Sequence, residues 1–119
     1  LAMTLFFGAD YYPEQWPQSR WETDAKLMKE AGFNVVRLAE FAWSRLEPSD
    51  GCFDFSWLDQ AVDLLTEHGL KVVLGTPSAS VPPWLFHAHP DMAIVDEDGT
   101  ARTYGSRRDA SPAHPAYCH

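Results

Sequence analysis

The feature that most constrains the fold is a helix-to-strand junction that occurs twice. Residues 32–38 read GFNVVRL and residues 69–74 read GLKVVL, so each time a glycine is followed by a short Val-rich run. The runs are apolar at consecutive positions instead of alternating with polar residues, which is typical of parallel strands buried on both faces. The repetition predicts an α/β fold with a parallel sheet.

The residues around these junctions predict two helices. The first begins at Pro17 and ends at Gly32, because proline favours the first helical turn and glycine favours the position just past the end. The second begins near Ser56, whose hydroxyl we expect to cap it, and ends at Gly69. The predicted strands cover residues 4–9, 33–38 and 70–74. Three strands therefore alternate with two helices.

The residues after the third strand predict an elaborated loop. Prolines interrupt every pattern from Thr76 onward, and the Asp98-Gly99 pair predicts a hairpin that joins residues 93–95 to residues 100–102. The turn after the first strand, in GADYYPEQWP, lacks the GxGxxG pattern of a dinucleotide-binding sheet. A barrel is therefore favoured over an open doubly wound sheet.

Charge and cysteine content exclude several function classes. Nine Lys plus Arg against 17 Asp plus Glu give a net charge of -8, which disfavours nucleic acid and anionic membranes as partners. No segment is long enough to span a membrane. Cys52 and Cys118 form no CxxC pair, and the five histidines lack metal-ligand spacing with either cysteine. We expect a cytoplasmic protein that acts on a neutral small molecule, with no metal site and no cofactor.

Charged and aromatic residues follow the second strand, where an apolar run should end. Arg37, Glu40 and Trp43 lie there, and ligands of parallel α/β folds bind at the carboxyl edge of the strands. Glu40 has apolar neighbours, so its carboxylate needs a partner, either a protein cation or a sugar hydroxyl. Trp84 joins Trp43 as a candidate pocket wall.

Two further pairs of charged residues are candidates at strand ends and loops. Asp10 and Glu14 can cap loops or pair with Arg20 and Arg37. Arg107 and Arg108 lie together in a later loop.

Four stretches of the chain form a recognisable set: residues 8–17, residues 36–43 with 46–48, residues 73–77 with 83–85, and residues 105–108. Together they resemble the amino-terminal part of a glycoside hydrolase family 42 β-galactosidase. They occur in the family's order across nearly the whole chain. The resemblance implies a TIM (β/α)8 barrel, of which residues 1–119 hold the first three strands as the amino-terminal part of a single, incomplete catalytic domain.

The resemblance also implies an activity and a set of roles. The family hydrolyses terminal non-reducing β-D-galactose with retention, using one glutamate after strand four and another after strand seven. Both would lie beyond His119, so no residue of this chain is expected to be catalytic. By position, Arg107 resembles an arginine that contacts galactose and Glu40 a glutamate of the pocket, with Arg37 and Trp43 as supporting neighbours. Family members are commonly homo-oligomers.

Two departures from the family limit what the resemblance implies. Many members carry a metal-binding cysteine where this chain has Ser111, so no structural zinc is expected. The family pattern also changes at Cys118 and His119, which suggests a truncation or an altered reading frame. Three strands of a barrel would leave open edges, so the isolated chain is predicted to be inactive and unstable. The alternatives are a related barrel glycosidase acting on another neutral sugar, a sugar-binding module, and an inactive truncated product.

Overall fold

The structure is a computed structural model that describes residues 3–103 and 110–118. Its strands are β1 (Gly8–Asp10), β2 (Val35–Leu38) and β3 (Lys71–Leu74), and its helices are α1 (Gln18–Glu30), α2 (Trp43–Leu46), α3 (Ser56–Glu67) and α4 (Pro83–Ala88). Short 3₁₀ helices cover Pro13–Gln15, Pro77–Ala79, Pro90–Met92 and Pro115–Tyr117. The chain divides into two compact units, a first unit of Leu1–Glu40 with Phe55–Gly75 and a second unit of Phe41–Asp54 with Thr76–His119.

The first unit is built on a parallel sheet in the order β1-β2-β3. This confirms the three parallel strands expected from the repeated junction. The first strand was predicted too early, however, because it begins at Gly8 and not at residue 4. The Asn34 side chain explains the shift: its Oδ1 accepts from the Phe7 N–H at 2.8 Å and its Nδ2 donates to the Leu5 carbonyl at 2.7 Å. Those backbone groups therefore bond to a side chain and not to a strand ladder.

Two amphipathic helices pack in the first unit. Helix α3 contacts both α1 and β3, and the buried residues of the two helices are Trp21, Ala25, Trp57, Leu58, Ala61 and Leu65. The junction glycines, Gly32 and Gly69, have φ of +86° and +74°, a conformation that favours glycine just past a helix end. The expected Ser56 cap is wrong, because Phe55 occupies the N-cap position and its side chain makes no capping hydrogen bond.

The sheet is less buried than the sequence predicted. Val36 and Leu38 of β2 are fully buried, whereas Val73 and Leu74 of β3 are 50% and 58% exposed. Burial on both faces requires a layer on each side of a sheet. The described residues therefore cover only part of it, and the expectation of a sheet buried on both faces is not met.

The second unit has its own small core and little regular structure. Val81, Leu85, Met92 and Ala110 form the core, and the partly buried residues packed against it are Trp43, Trp84, Phe86, Ala116 and Tyr117. The predicted hairpin is present, since Val95 pairs with Ala101 across the turn that contains Gly99, whose φ is +83°. Within the ranges described above, no helix combines the length and apolar character needed to cross a membrane.

Candidate functional site

Three charged side chains meet at the carboxyl ends of β1 and β2. Asp10, the last residue of β1, is the register partner of Arg37. Arg37 Nε lies 3.1 Å from Asp10 Oδ1, and its Nη2 donates a hydrogen bond to Glu40 Oε2. The partner that the sequence required for Glu40 is therefore a protein cation. One guanidinium fixes two carboxylates, one from each strand end.

The backbone before Glu40 turns sharply. Ala39 is buried and has φ of +71°, which makes it the only non-glycine residue with positive φ among those described. A non-glycine side chain in this conformation costs about 1–2 kcal/mol. Strain of this kind persists only where the surrounding structure fixes the residue, so the turn sets the direction in which Glu40 leaves the strand.

Gly75, just past β3, makes room for this turn. Its N–H donates to the Leu38 carbonyl at 2.8 Å, which extends the β2–β3 ladder. A Cβ atom at residue 75 would lie 3.3 Å from the Cα and Cβ of Glu40 and from the Leu38 carbonyl oxygen. Because 3.3 Å is tighter than ordinary carbon contact, any side chain here would displace Glu40 by a few tenths of an ångström. All three strands thus contribute to the placement of Glu40.

The electrostatics of the group suit recognition of polar ligands. The hydrogen bond to Glu40 raises the pKa of Arg37 further, with Asp10 adding to the effect, so the guanidinium stays charged. The Glu40 side chain is 25% exposed, whereas Asp10 is about half exposed. A carboxylate that is oriented by an arginine and still reached by solvent can accept hydrogen bonds from neutral hydroxyl groups.

The tryptophans suspected as pocket walls, Trp43 and Trp84, share a partner within the second unit. Trp43 Nε1 donates to Glu47 Oε2 at 2.7 Å, and Trp84 Nε1 donates to the Glu47 carbonyl oxygen at 2.8 Å. Glu47 Oε1 accepts from the Gly51 N–H at 2.9 Å, and Glu47 is 8% exposed. A buried glutamate thus orients both indoles. The sequence interpretation missed Glu47, although its place between Leu46 and Pro48 in LEP was a usable signal.

The indole ring of Trp43 also makes an aromatic contact. Its indole meets Tyr117 edge to face, with ring centroids 5.8 Å apart, and the Tyr117 hydroxyl donates to the Ser78 carbonyl at 2.5 Å. Aromatic pairs in this arrangement add about 0.5–1.5 kcal/mol beyond the area they bury. The Trp43 ring therefore has a defined orientation inside the second unit.

Not every predicted site residue can be placed. Arg37 and Glu40 are in direct contact, and Trp43 lies in the other compact unit. Arg107 and Arg108 lie outside the described residues. Ser111, at the family's cysteine position, has its hydroxyl oxygen accepting from the Ala113 N–H at 3.3 Å. A hydroxyl used in a turn is a poor replacement for a thiolate, so these residues do not fit the family's zinc.

The fold and this group of residues define a class of protein. The family model described as β-galactosidase, of glycoside hydrolase family 42, matches residues 10–119. The chain thus forms part of a TIM barrel, with its first three strands, two main helices and the long loop after β3.

Individual relatives agree with the family match. The chain is 48% identical over 112 residues to the β-galactosidase BgaB of Geobacillus kaustophilus and 51% identical over 110 residues to BgaH of Haloferax lucentense. These alignments cover 94% and 92% of the chain and 17% of each relative. The solved β-galactosidase of Marinomonas ef1 superposes with a TM-score of 0.87 at 47% identity, covering 95% of this chain and 17% of that one. The chain belongs to the glycoside hydrolase family 42 β-galactosidases.

Proposed function

We propose that the protein containing this chain hydrolyses terminal non-reducing β-D-galactose residues of β-galactosides by a retaining mechanism. The observation that carries the proposal is the match of residues 10–119 to the family model described as β-galactosidase. The chain spans only about 17% of the length of the curated relatives it matches. The activity is therefore assigned to the longer protein and not to these residues alone.

The role proposed for this chain is to frame the sugar pocket. Glu40 accepts a hydrogen bond from a galactose hydroxyl, and Arg37 holds its carboxylate in place. Arg107 contributes a second contact, as a donor to the sugar. Trp43 is assigned a supporting role in the same proposal, by its place in the family's motif. Since Oε2 of Glu40 already accepts from Arg37, this residue is better suited to orienting substrate than to attacking it.

The catalytic pair is assigned to residues outside these 119. Retention requires two carboxyl groups about 5–5.5 Å apart, one acting as nucleophile and the other as acid and then base. Asp10 and Glu40 both pair with the same guanidinium, which orients their carboxylates. The 119-residue chain expressed alone is therefore expected to release no product from a chromogenic β-galactoside.

Substitutions in the full-length protein test the framing role. Glu40→Gln keeps the shape but removes the charge, and Arg107→Ala removes the proposed donor. Each is expected to lower kcat/KM for a nitrophenyl β-galactoside by about 100-fold, because a hydrogen bond to a charged group contributes up to about 3 kcal/mol. Glu97→Gln, in the exposed hairpin, is the matched control and should leave kcat/KM unchanged.

The outcome separates three possibilities. Unchanged kcat/KM in both site variants, with the protein folded, would refute the substrate contacts. Faster hydrolysis of another neutral glycoside than of the galactoside would assign the protein to a related specificity. The anomeric configuration of the first-formed sugar, followed by proton NMR, tests the mechanism, because retention releases the β-anomer first.

A further inference from the structure

A group of metal-ligating side chains lies in the second unit, and none of its members is a residue assigned above to the sugar pocket. His89, Asp91 and His114 each present one ligand atom, and these three atoms all lie within 4.8 Å of one another. His114 Nε2 is 3.2 Å from Asp91 Oδ2, and the His89 and His114 rings are 5.6 Å apart between centroids. The spacing of the histidines relative to cysteines did not reveal this group, because none of its members is a cysteine.

We propose that His89, Asp91 and His114 bind a divalent transition-metal ion of the zinc class. Two imidazoles and one carboxylate are ligands that suit Zn²⁺, Co²⁺ and Ni²⁺ and not Mg²⁺ or Ca²⁺, which prefer oxygen alone. With three protein ligands, the fourth position of a tetrahedral ion falls to water. The site is thus of the open type.

The distances fit this coordination after a small side-chain movement. In a tetrahedral zinc site with bonds of about 2.0–2.1 Å, ligand atoms lie roughly 3.3 Å from one another. The Asp91–His114 separation of 3.2 Å already has this value. No separation in the group exceeds this value by more than roughly 1.5 Å, a movement that a change of rotamer at the partly exposed His89 or the exposed Asp91 can supply.

Backbone hydrogen bonds hold the two segments that carry the three residues. His89 donates its N–H to the Leu85 carbonyl at 3.0 Å, and its own carbonyl accepts from the Met92 N–H at 3.0 Å. The Met92 carbonyl accepts from the Ser111 N–H at 2.7 Å, and His114 donates its N–H to the Ser111 carbonyl at 3.1 Å. Met92 is fully buried. This series of bonds joins both ligand segments to the core of the second unit.

Both histidines also occupy equivalent local positions. Each directly precedes a proline that opens a 3₁₀ helix, Pro90–Met92 after His89 and Pro115–Tyr117 after His114. Proline at the first position of the turn restricts the residue before it to extended conformations. The two His-Pro pairs therefore present their imidazoles from similarly constrained backbones, which reduces the ordering that binding requires.

Binding requires one change in the metal-free arrangement. His114 Nδ1 accepts from the Ala116 N–H at 3.2 Å, so in the neutral ring the proton lies on Nε2, which faces Asp91. A metal at Nε2 needs that lone pair, so the proton must move to Nδ1 and the bond to Ala116 is lost. No net proton is released from the ring in this exchange. The Ala116 amide should therefore shift on metal addition, which gives the site a local NMR signature.

Titration of the metal-free protein in its longest expressed form tests the site. Zn²⁺ binding is measured by calorimetry and Co²⁺ binding by visible absorption. We expect one equivalent of metal ion to bind at a site formed by the three residues. Asp91→Asn and His89→Gln should each weaken that equivalent by at least about 10-fold, since even outer contacts of a metal site contribute about 10–100-fold. His87→Gln, two residues from His89 and outside the group, should change the affinity less than about twofold.

Both variants are chosen because we expect them to fold. Asp91→Asn keeps an oxygen acceptor for His114 at a well-exposed position, and His89→Gln leaves the Asp91–His114 pair intact. Unfolding temperatures in chelator verify that both are folded, and a given concentration of added Zn²⁺ should raise that temperature more in the wild type than in either variant. The proposal is overturned if no equivalent of Zn²⁺ or Co²⁺ binds, or if both variants bind as the wild type does. It is equally overturned if His87→Gln weakens binding as much as they do.

Discussion

The two compact units reach a defined structure by different means. The first unit relies on a backbone ladder between three strands and on two helices with apolar faces. The second unit has few regular elements and relies on polar groups that bond across its loops, with Glu47 orienting two indoles. The first should therefore fail through backbone and packing changes, and the second through the loss of single polar side chains.

Gly8→Ala should have the largest effect, because it disrupts the pairing of β1 with β2 in the first unit. A Cβ atom at residue 8 would lie 1.7 Å from the Val35 carbonyl oxygen, which no rotamer can relieve. We expect a loss of about 4 kcal/mol or more in the free energy of unfolding, measured with urea. Gly32→Ala is the comparison, since nothing lies within 4 Å of its added Cβ and only the positive φ is strained, at about 1–2 kcal/mol. Equal losses in both variants would contradict the close approach of β1 to β2.

Glu47→Ala tests the second unit in the same way. It leaves the Trp43 indole N–H and the Gly51 N–H without their acceptor at a partly buried position. The expected loss is about 3 kcal/mol, and Glu47→Gln, which keeps one acceptor oxygen, should lose about half as much. Hydrogen exchange should report the largest loss of protection at the Gly51 amide. Glu97→Ala, at an exposed hairpin position, serves as the control, and a loss there as large as at Glu47 would refute the polar anchor.

Gly75→Ala sharpens the comparison because we expect it to change the position of Glu40 more than it changes the free energy of unfolding. The added Cβ presses on Glu40, so kcat/KM of the full-length protein for a β-galactoside should fall by about 10-fold, or about 1.4 kcal/mol in activation free energy. Gly99→Ala, in the hairpin, provides a glycine control with open space around it. An unchanged kcat/KM in Gly75→Ala would mean that the position of Glu40 does not matter to the reaction.

Tyr11→Phe should have the smallest effect and concerns pH. Burial raises the pKa of Tyr11 above its ordinary value, and the hydrogen bond to Asp24 at 3.0 Å raises it further. The neutral phenol is thus favoured in the folded state, so its contribution is complete below about pH 10 and is lost as the pH rises above that value. Tyr11→Phe should lose about 1 kcal/mol at neutral pH and show a weaker decline in alkaline solution.

Urea unfolding near neutral pH and in alkaline solution checks this difference. Tyr117→Phe is the matched variant in the second unit, where the hydroxyl donates to a backbone carbonyl and not to a carboxylate. An alkaline decline that is identical in Tyr11→Phe and in the wild type would show that the Tyr11–Asp24 bond is not responsible.

Much of the first unit was predictable from local patterns. Apolar spacing located α1 and α3, and the junction glycines marked their ends, because helix periodicity and positive φ are properties of short segments. The start of β1 was not predictable, since it depends on the Asn34 side chain, which bonds residues 5 and 7 from 27 or more residues away. Of the candidate site, the sequence supplied Arg37 and Glu40 as residue types. Their contact and the strained turn at Ala39 emerged only in three dimensions.

The sequence alone determined the family, the α/β class and the order of the three strands and the two main helices, whereas the short helices α2 and α4 were not predicted. Each predicted feature follows from residue identities and from periodicities that are read along the chain. Tertiary structure decided that one guanidinium holds Asp10 and Glu40, that Glu47 orients Trp43 and Trp84, and that His89, Asp91 and His114 converge. These pairings join residues from separate strands and loops, and their distances depend on how the backbone packs, which no local pattern records.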